Sequence, residues 1–96
     1  MIDNFLNTKL GKIPSFRIGF LIGVIFQNFN EKEKLKYNAD ISDLESLNIL
    51  LEKLFKNSNI SPKFIKLIKE TNIDKFNQNE FFVGLKIGYE IKFKEQ

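Results

Sequence analysis

The sequence of 96 residues contains no cysteine and no histidine. Without cysteine the chain forms neither a disulfide nor a thiolate metal site, and it has no thiolate nucleophile. Without histidine it lacks the side chain that most often acts as a general base or a metal ligand. Ser-His-Asp and Cys-His enzymes are therefore excluded. We expect a protein with no enzymatic activity, no cofactor and no bound metal.

Long hydrophobic runs are also missing. The most apolar stretch, residues 18–26, is far shorter than the roughly 20 residues that a membrane-spanning helix needs. The first residues include Asp3 and Asn4 rather than the basic segment that opens a secretory signal. We therefore expect a cytoplasmic protein with no membrane partner.

The overall composition is that of a globular protein. Hydrophobic residues make up 43% of the chain and charged residues 28%, which leaves enough apolar side chains for a core. A chain of this length allows one compact domain, so we expect a single helical-bundle domain over residues 1–96. The net charge is +3, and the surplus of basic residues lies entirely in the second half of the chain.

Apolar residues recur at helical spacing in four segments that begin with residues favouring a helix start. The first predicted helix covers residues 15–28, with Ser15 as its cap. The second starts at Ser42, where Glu45 completes a capping box, and the third is a short helix that starts at Ser61 and Pro62. The fourth covers residues 78–94. The last segment is ambiguous, because residues 85–94 also alternate like a strand. We favour a helix, since the chain offers this strand no obvious partner.

The remaining segments are less regular. Residues 2–10 can add a short leading helix, and the polar residues 28–40 are interpreted as a loop or a frayed helix end. The predicted fold class is therefore all-α, a compact bundle of four to five helices.

Two glycine pairs with GxxxG spacing lie inside the most apolar predicted helices. They are Gly19 with Gly23 and Gly84 with Gly88. Each interior glycine costs a helix about 1 kcal/mol relative to alanine, so its use is close approach of two backbones. We predict that the first and last long helices cross at these glycines.

A cluster of lysines is the strongest functional signal. Six lysines and only two acidic residues, Glu70 and Asp74, lie between positions 53 and 75. Lys63, Lys66 and Lys69 recur every third residue of the predicted third helix, so they share one broad face that can follow a phosphate backbone. A solvated helix face is the simpler interpretation of these lysines, and the spacing alone favours it. The candidate nucleic-acid-binding residues are Arg17, Lys56, Lys63, Lys66, Lys69 and Lys75.

Two further groups have alternative interpretations. Arg17, the chain's only arginine, can contact a phosphate with two nitrogens. Its structural alternatives are to extend its charged group into solvent from the end of a buried helix or to pair with a carboxylate. Asp40, Asp43 and Glu45 are a conceivable cation site. Favourable charge at a helix start explains these acids without a metal, and we prefer that interpretation.

Two segments carry a family resemblance. Residues 16–27, Phe-Arg-Ile-Gly-Phe-Leu-Ile-Gly-Val-Ile-Phe-Gln, resemble the Phe-Leu-x-Gly-x-x-x-Gly helix that opens the C-terminal helical region of CRISPR type I-B large subunits. Residues 79–91, Asn-Glu-Phe-Phe-Val-Gly-Leu-Lys-Ile-Gly-Tyr-Glu-Ile, resemble the helix that closes this region. The same region is also made as a free protein, the Cascade small subunit.

The resemblance implies a non-catalytic helical subunit of a type I CRISPR surveillance complex. Its implied partners are guide RNA and target DNA, the backbone and large subunits, and further copies of itself. In such complexes a separate nuclease–helicase cleaves the DNA. The alternative is a small helical adaptor or antidote that binds another protein and does not contact nucleic acid.

Overall fold

The computed structural model describes residues 2–92, and this part of the chain is helical without any strand. The all-α prediction is therefore confirmed. The helices are α1 (Ile2–Leu6), α2 (Pro14–Gln27), α3 (Glu31–Lys36), α4 (Leu44–Phe55), α5 (Pro62–Lys69) and α6 (Gln78–Glu90), with a 3-10 turn at Leu10–Lys12 between the first two.

Helix α2 lies at the centre of the bundle. Its apolar residues cover almost the whole circumference, and Phe20, Leu21 and Ile22 are completely buried. A helix that is apolar on all sides needs neighbours on all sides. Side chains from α1, α4, α5 and α6 supply the rest of the core around it, among them Leu6, Leu47, Leu54, Ile68 and Phe81.

The glycine pairs lie at a close crossing of α2 and α6, so this prediction is confirmed. A Cβ atom on Gly84 would overlap the carbonyl oxygen of Phe16. The other three glycines face the backbone of the opposite helix just as closely: Gly19, Gly23 and Gly88. Because the obstacles are backbone atoms, any side chain here would push the two helices apart.

The ambiguous segment near the carboxyl end is a helix, as we favoured. Its cap is Asn77, whose side-chain oxygen accepts a hydrogen bond from the Glu80 backbone N–H at 2.9 Å. The helix ends at Glu90, where the Gln27 side-chain amide donates to the carbonyl oxygens of Gly88 and Ile91. The predicted helix is too long, because Ile91 and Lys92 lie beyond its end, and positions 93 and 94 lie outside the described residues.

Two predicted helix starts are wrong in detail. Ser15 does not cap α2, because it is buried and its hydroxyl accepts a hydrogen bond from the Asn77 backbone N–H at 2.9 Å. It therefore joins the starts of α2 and α6. The cap of α4 is Asp43, one residue after Ser42, and its partner in the capping box is Ser46.

The polar stretch before α4 contains a helix that the sequence interpretation missed. Asn30 and Glu33 form a capping box at the start of α3, with each side chain accepting a hydrogen bond from the other residue's backbone. Lys34 then attaches α3 to α6 through a hydrogen bond to the Tyr89 hydroxyl. This bond is the main reason that the pKa of Lys34 is raised above its ordinary value.

Helix α5 is packed on one side only. Pro62 occupies its first turn after Ser61, whose side chain makes no capping hydrogen bond. Ile68 is buried beneath the helix, whereas its lysines are exposed. Within residues 2–92, no helix is both long and apolar enough to cross a membrane.

Candidate functional site

Two surface depressions meet at the turn between α4 and α5. Asn57 and Ser58 line both of them. The apolar depression has a volume of about 440 Å³ and the polar depression a volume of about 350 Å³. The turn therefore forms a ridge with a concave surface on either side.

Lysines line both depressions. Lys66 and Lys69 of α5 lie beside the apolar depression, whereas Lys36, Lys53 and Lys56 lie beside the polar one. All five are exposed, and together we call them the lysine surface. It combines the end of α3, the end of α4 and one face of α5, so residues far apart in the sequence converge on one ridge.

Few acidic residues oppose this charge. One carboxylate lines each depression, Glu33 in the polar and Glu70 in the apolar one. The Glu33 carboxylate already accepts a hydrogen bond from the Asn30 backbone N–H at 3.0 Å. Within the described part of the chain, the ion pairs are Lys34–Glu31 and Lys63–Asp3, so neither engages the lysine surface. The surface therefore keeps a positive balance.

Hydrophobic side chains line the apolar depression next to its lysines, and we call them its floor. The floor is formed by Phe55, Ile60, Pro62 and Ile65. The Lys69 ammonium lies 4.9 Å from the centroid of the Phe55 ring, a distance at which a cation is attracted to an aromatic face. This contact holds Lys69 at the rim of the depression.

Three predicted site residues lie elsewhere. Lys63 points toward α1 and pairs with Asp3 at 3.2 Å, so it is not part of the lysine surface. Lys75 is exposed in the segment between α5 and α6 and lines neither depression. Arg17 donates hydrogen bonds from one nitrogen to the carbonyl oxygens of Leu6 and Gly11.

The position of Arg17 favours a structural role, with backbone carbonyls rather than a carboxylate as its partners. Its guanidinium reaches back over the end of α1, where helix carbonyls have no partner within the helix. The contacts at 2.9 and 3.2 Å join α2 to the residues that precede it. We therefore leave Arg17 out of the candidate surface.

The sequence interpretation missed Lys36 and did not single out Lys53. The segment that contains Lys36 is interpreted from sequence as a loop or a frayed helix end, because its polar residues show no apolar periodicity. The signal that could have found it is the pair of Asn30 and Glu33, which has capping-box spacing. A helix there would have ended with Lys36 in its last turn, near the lysines at the end of α4.

The acidic cluster before α4 has a structural function. Asp43 accepts a hydrogen bond from the Ser46 backbone N–H at 2.9 Å, and this bond is the main cause of the lowered pKa of its carboxyl. Glu45 lies in the first turn of the same helix. Within residues 2–92 the structure contains no group of acidic side chains that could hold a metal ion.

A second surface feature lies next to α3, and Tyr37 lines both this feature and the polar depression. Phe82 and Leu35 line a groove of about 360 Å³ between α3 and α6. Leu35 is 72% exposed, and Val83, next to Phe82 in α6, is 52% exposed. Exposed apolar residues grouped in this way are a feature of protein-binding surfaces.

Comparison with known proteins adds no relative. No family model, curated protein or solved structure matches this chain. The fold therefore defines this protein as a small helical bundle, and the lysine-lined ridge is its most distinctive surface feature.

Proposed function

We propose that this protein is a non-catalytic, nucleic-acid-binding subunit of a type I CRISPR RNA-guided surveillance complex in the cytoplasm. Its lysine surface would contact the sugar-phosphate backbone of the guide RNA, the target DNA or the displaced strand. The large subunit, the backbone subunits and further copies of this chain would be its protein partners. In such an assembly base pairing supplies sequence specificity, and the protein supplies charge and shape.

The observation that carries the binding proposal is the convergence of five exposed lysines on one ridge with only two carboxylates. Lysine acts on nucleic acid as a positioning charge and does not read bases. The lysine surface is built by three helices, and a concave depression lies on either side of its ridge. Such a positively charged surface suits a polyanion that crosses it. The CRISPR setting depends on the resemblance of the two glycine-containing helices.

The test uses fluorescence anisotropy to measure how tightly the protein binds a labelled single-stranded oligonucleotide at increasing salt concentration. If all five lysines contact phosphates, the logarithm of the affinity should fall with the logarithm of the salt concentration with a slope of about −3.5. The variant Lys56→Glu/Lys66→Glu/Lys69→Glu should lose most of the affinity and leave a slope near −1.5, as roughly two contacts remain.

A matched control uses three exposed lysines outside the ridge. The variant Lys9→Glu/Lys12→Glu/Lys86→Glu has the same net charge as the ridge variant, so it separates a local surface from general attraction. It should retain most of the wild-type affinity. Equal loss in both variants would contradict a defined surface. Co-purification with guide RNA and larger CRISPR subunits would test the cellular setting.

The second candidate function is a protein-binding adaptor or antidote. The groove between α3 and α6, with the exposed Leu35 and Phe82, is the observation that favours it. An adaptor would show no salt-sensitive binding to nucleic acid, and Phe82→Ala would disrupt its complex with a protein partner. The anisotropy experiment therefore discriminates between the two functions.

A further inference from the structure

The apolar depression has a chemistry that phosphate binding does not use. A phosphodiester needs only positive charge and hydrogen-bond donors, and the exposed lysines provide these. The depression that Lys66 and Lys69 border, however, is also lined by the apolar side chains of Phe55, Pro62 and Ile65. The volume of about 440 Å³ is within the range of small-molecule sites, about 300–1,000 Å³. The combination suits a ligand with a flat, weakly polar part next to an anionic part.

We infer that this depression holds one unpaired nucleobase of a single strand, with the adjoining phosphates on the lysines of its rim. The inference rests on the proposed function, because it specifies which form of nucleic acid the ridge binds. The base would pack against Pro62 and Ile65 on the floor, while Lys66 and Lys69 hold phosphates on either side of it.

The geometry favours a single strand over a duplex. In a duplex each base is stacked and paired inside the helix, so it cannot enter a depression in a protein surface. An unpaired base can turn outward and bury its apolar faces. Single-strand-binding surfaces commonly combine a basic groove with such a packing site, and they bind with little regard to sequence.

Little sequence preference is expected for the same structural reason. Asn57, one of the polar side chains that line the depression, already has partners. Its amide nitrogen donates to the Tyr37 hydroxyl at 2.8 Å, and its oxygen accepts from the Asn59 backbone N–H at 2.9 Å. The apolar residues that line the depression can pack against any base, and the other polar groups that line it are the Ser58 hydroxyl, the Glu70 carboxylate and the lysines.

The distribution of charge favours nucleic acid over an acidic peptide. The positive side chains continue past Ser58 into the polar depression, where Lys53 and Lys56 are found. A ligand that uses both depressions must carry negative charge along its length, with an apolar group at one position. A nucleic acid strand has a charge at every residue and a base beside each charge.

The experiment compares two labelled oligomers of about twelve nucleotides, oligothymidylate and the matching abasic deoxyribose-phosphate chain. Both have the same number of phosphates, so charge alone predicts equal affinity. We expect the 96-residue protein to bind oligothymidylate at least roughly fivefold more tightly, with the same salt slope for both oligomers. Duplex DNA of equal length has twice as many phosphates, so its affinity is compared between the wild type and the Ile65→Ala variant described below, and this substitution should leave it unchanged.

Each other result overturns the inference. Equal, salt-sensitive binding of the two single strands would reject the base site but leave the proposed function intact. Absence of binding by both oligomers would reject the inference and the proposed function together. Displacement of oligothymidylate by a peptide of alternating glutamate and phenylalanine, at lower concentration than unlabelled oligothymidylate requires, would assign the depression to a protein ligand.

A variant of the floor provides an independent measurement. Ile65→Ala keeps every lysine, so it should weaken oligothymidylate binding at least roughly threefold without changing the affinity for the abasic chain. The control is Ile49→Ala in α4, which removes a 52% exposed isoleucine outside the depression. A misfolded variant would lose both ligands alike. If Ile65→Ala leaves the preference for oligothymidylate unchanged, the base does not lie on this floor.

Discussion

The crossing of α2 and α6 provides the most direct test of the fold. Alanine at Gly88 would place a methyl group onto the carbonyl oxygen of Phe20. Gly23 has the reciprocal position in α2, where a Cβ atom would lie only 2.7 Å from the Tyr89 backbone nitrogen. A backbone atom cannot rotate away as a flexible side chain can, so the helices themselves would have to separate.

Two opposing effects decide the magnitude. Replacing an interior glycine with alanine favours the helix by about 1 kcal/mol. Overpacking costs about 1–3 kcal/mol, and the rigid obstacle places Gly88→Ala near the upper end. We therefore expect a net loss of about 2 kcal/mol in the free energy of unfolding. For a domain of this size this corresponds to a fall in Tm of about 8–16 °C.

The assay is thermal and urea unfolding followed by far-ultraviolet circular dichroism, which reports helix content directly. The control is Val83→Ala in the same helix, because Val83 is 52% exposed and away from the crossing. It should change stability by less than about 0.5 kcal/mol. A Gly88→Ala variant with the same Tm as the wild-type protein would refute the close crossing.

A double substitution tests the reasoning further. Gly84→Ala and Gly88→Ala would push apart the same two helices, so one separation relieves both overlaps. The loss in Gly84→Ala/Gly88→Ala should therefore be smaller than the sum of the single losses. Strict additivity would indicate two independent local effects rather than movement of one helix against the other.

Three other substitutions have defined outcomes. Arg17→Met removes the hydrogen bonds to two backbone carbonyls and should destabilise the protein by about 1–3 kcal/mol in urea unfolding, without changing oligonucleotide affinity. Gln27→Ala should cost about 1–2 kcal/mol in the same assay, because it leaves the end of α6 without its side-chain donor. The pKa of the Asp43 carboxyl is lowered in the folded protein. At pH values above the ordinary pKa of an aspartate, its ionised form therefore stabilises the folded state. This contribution is lost as the pH falls through the lowered pKa of the folded protein. Asp43→Asn keeps a capping oxygen and should therefore flatten the decline of Tm as the pH falls below the ordinary carboxyl pKa of 3.8, whereas an unchanged acid decline would contradict this contribution.

The sequence was sufficient for the features that depend on local order and spacing. Helical periodicity identified the four longer helices, since the face that each helix buries repeats with its turn. The glycine pairs predicted the α2–α6 crossing, because close backbone contact is the use that offsets their helix cost. The misplaced start of α4 shows the limit of such signals, as Ser42 and Asp43 are both good caps and one residue decides between them.

The candidate site depended on how helices are arranged relative to one another, which periodicity does not specify. The spacing of Lys63, Lys66 and Lys69 placed them on one broad face of α5, yet Lys63 faces Asp3 of α1 while the other two border the apolar depression. Lys36 joins the surface only because α3 folds back beside the end of α4. Charges on separate helices meet through core packing, and only the tertiary structure shows which of them share a ridge.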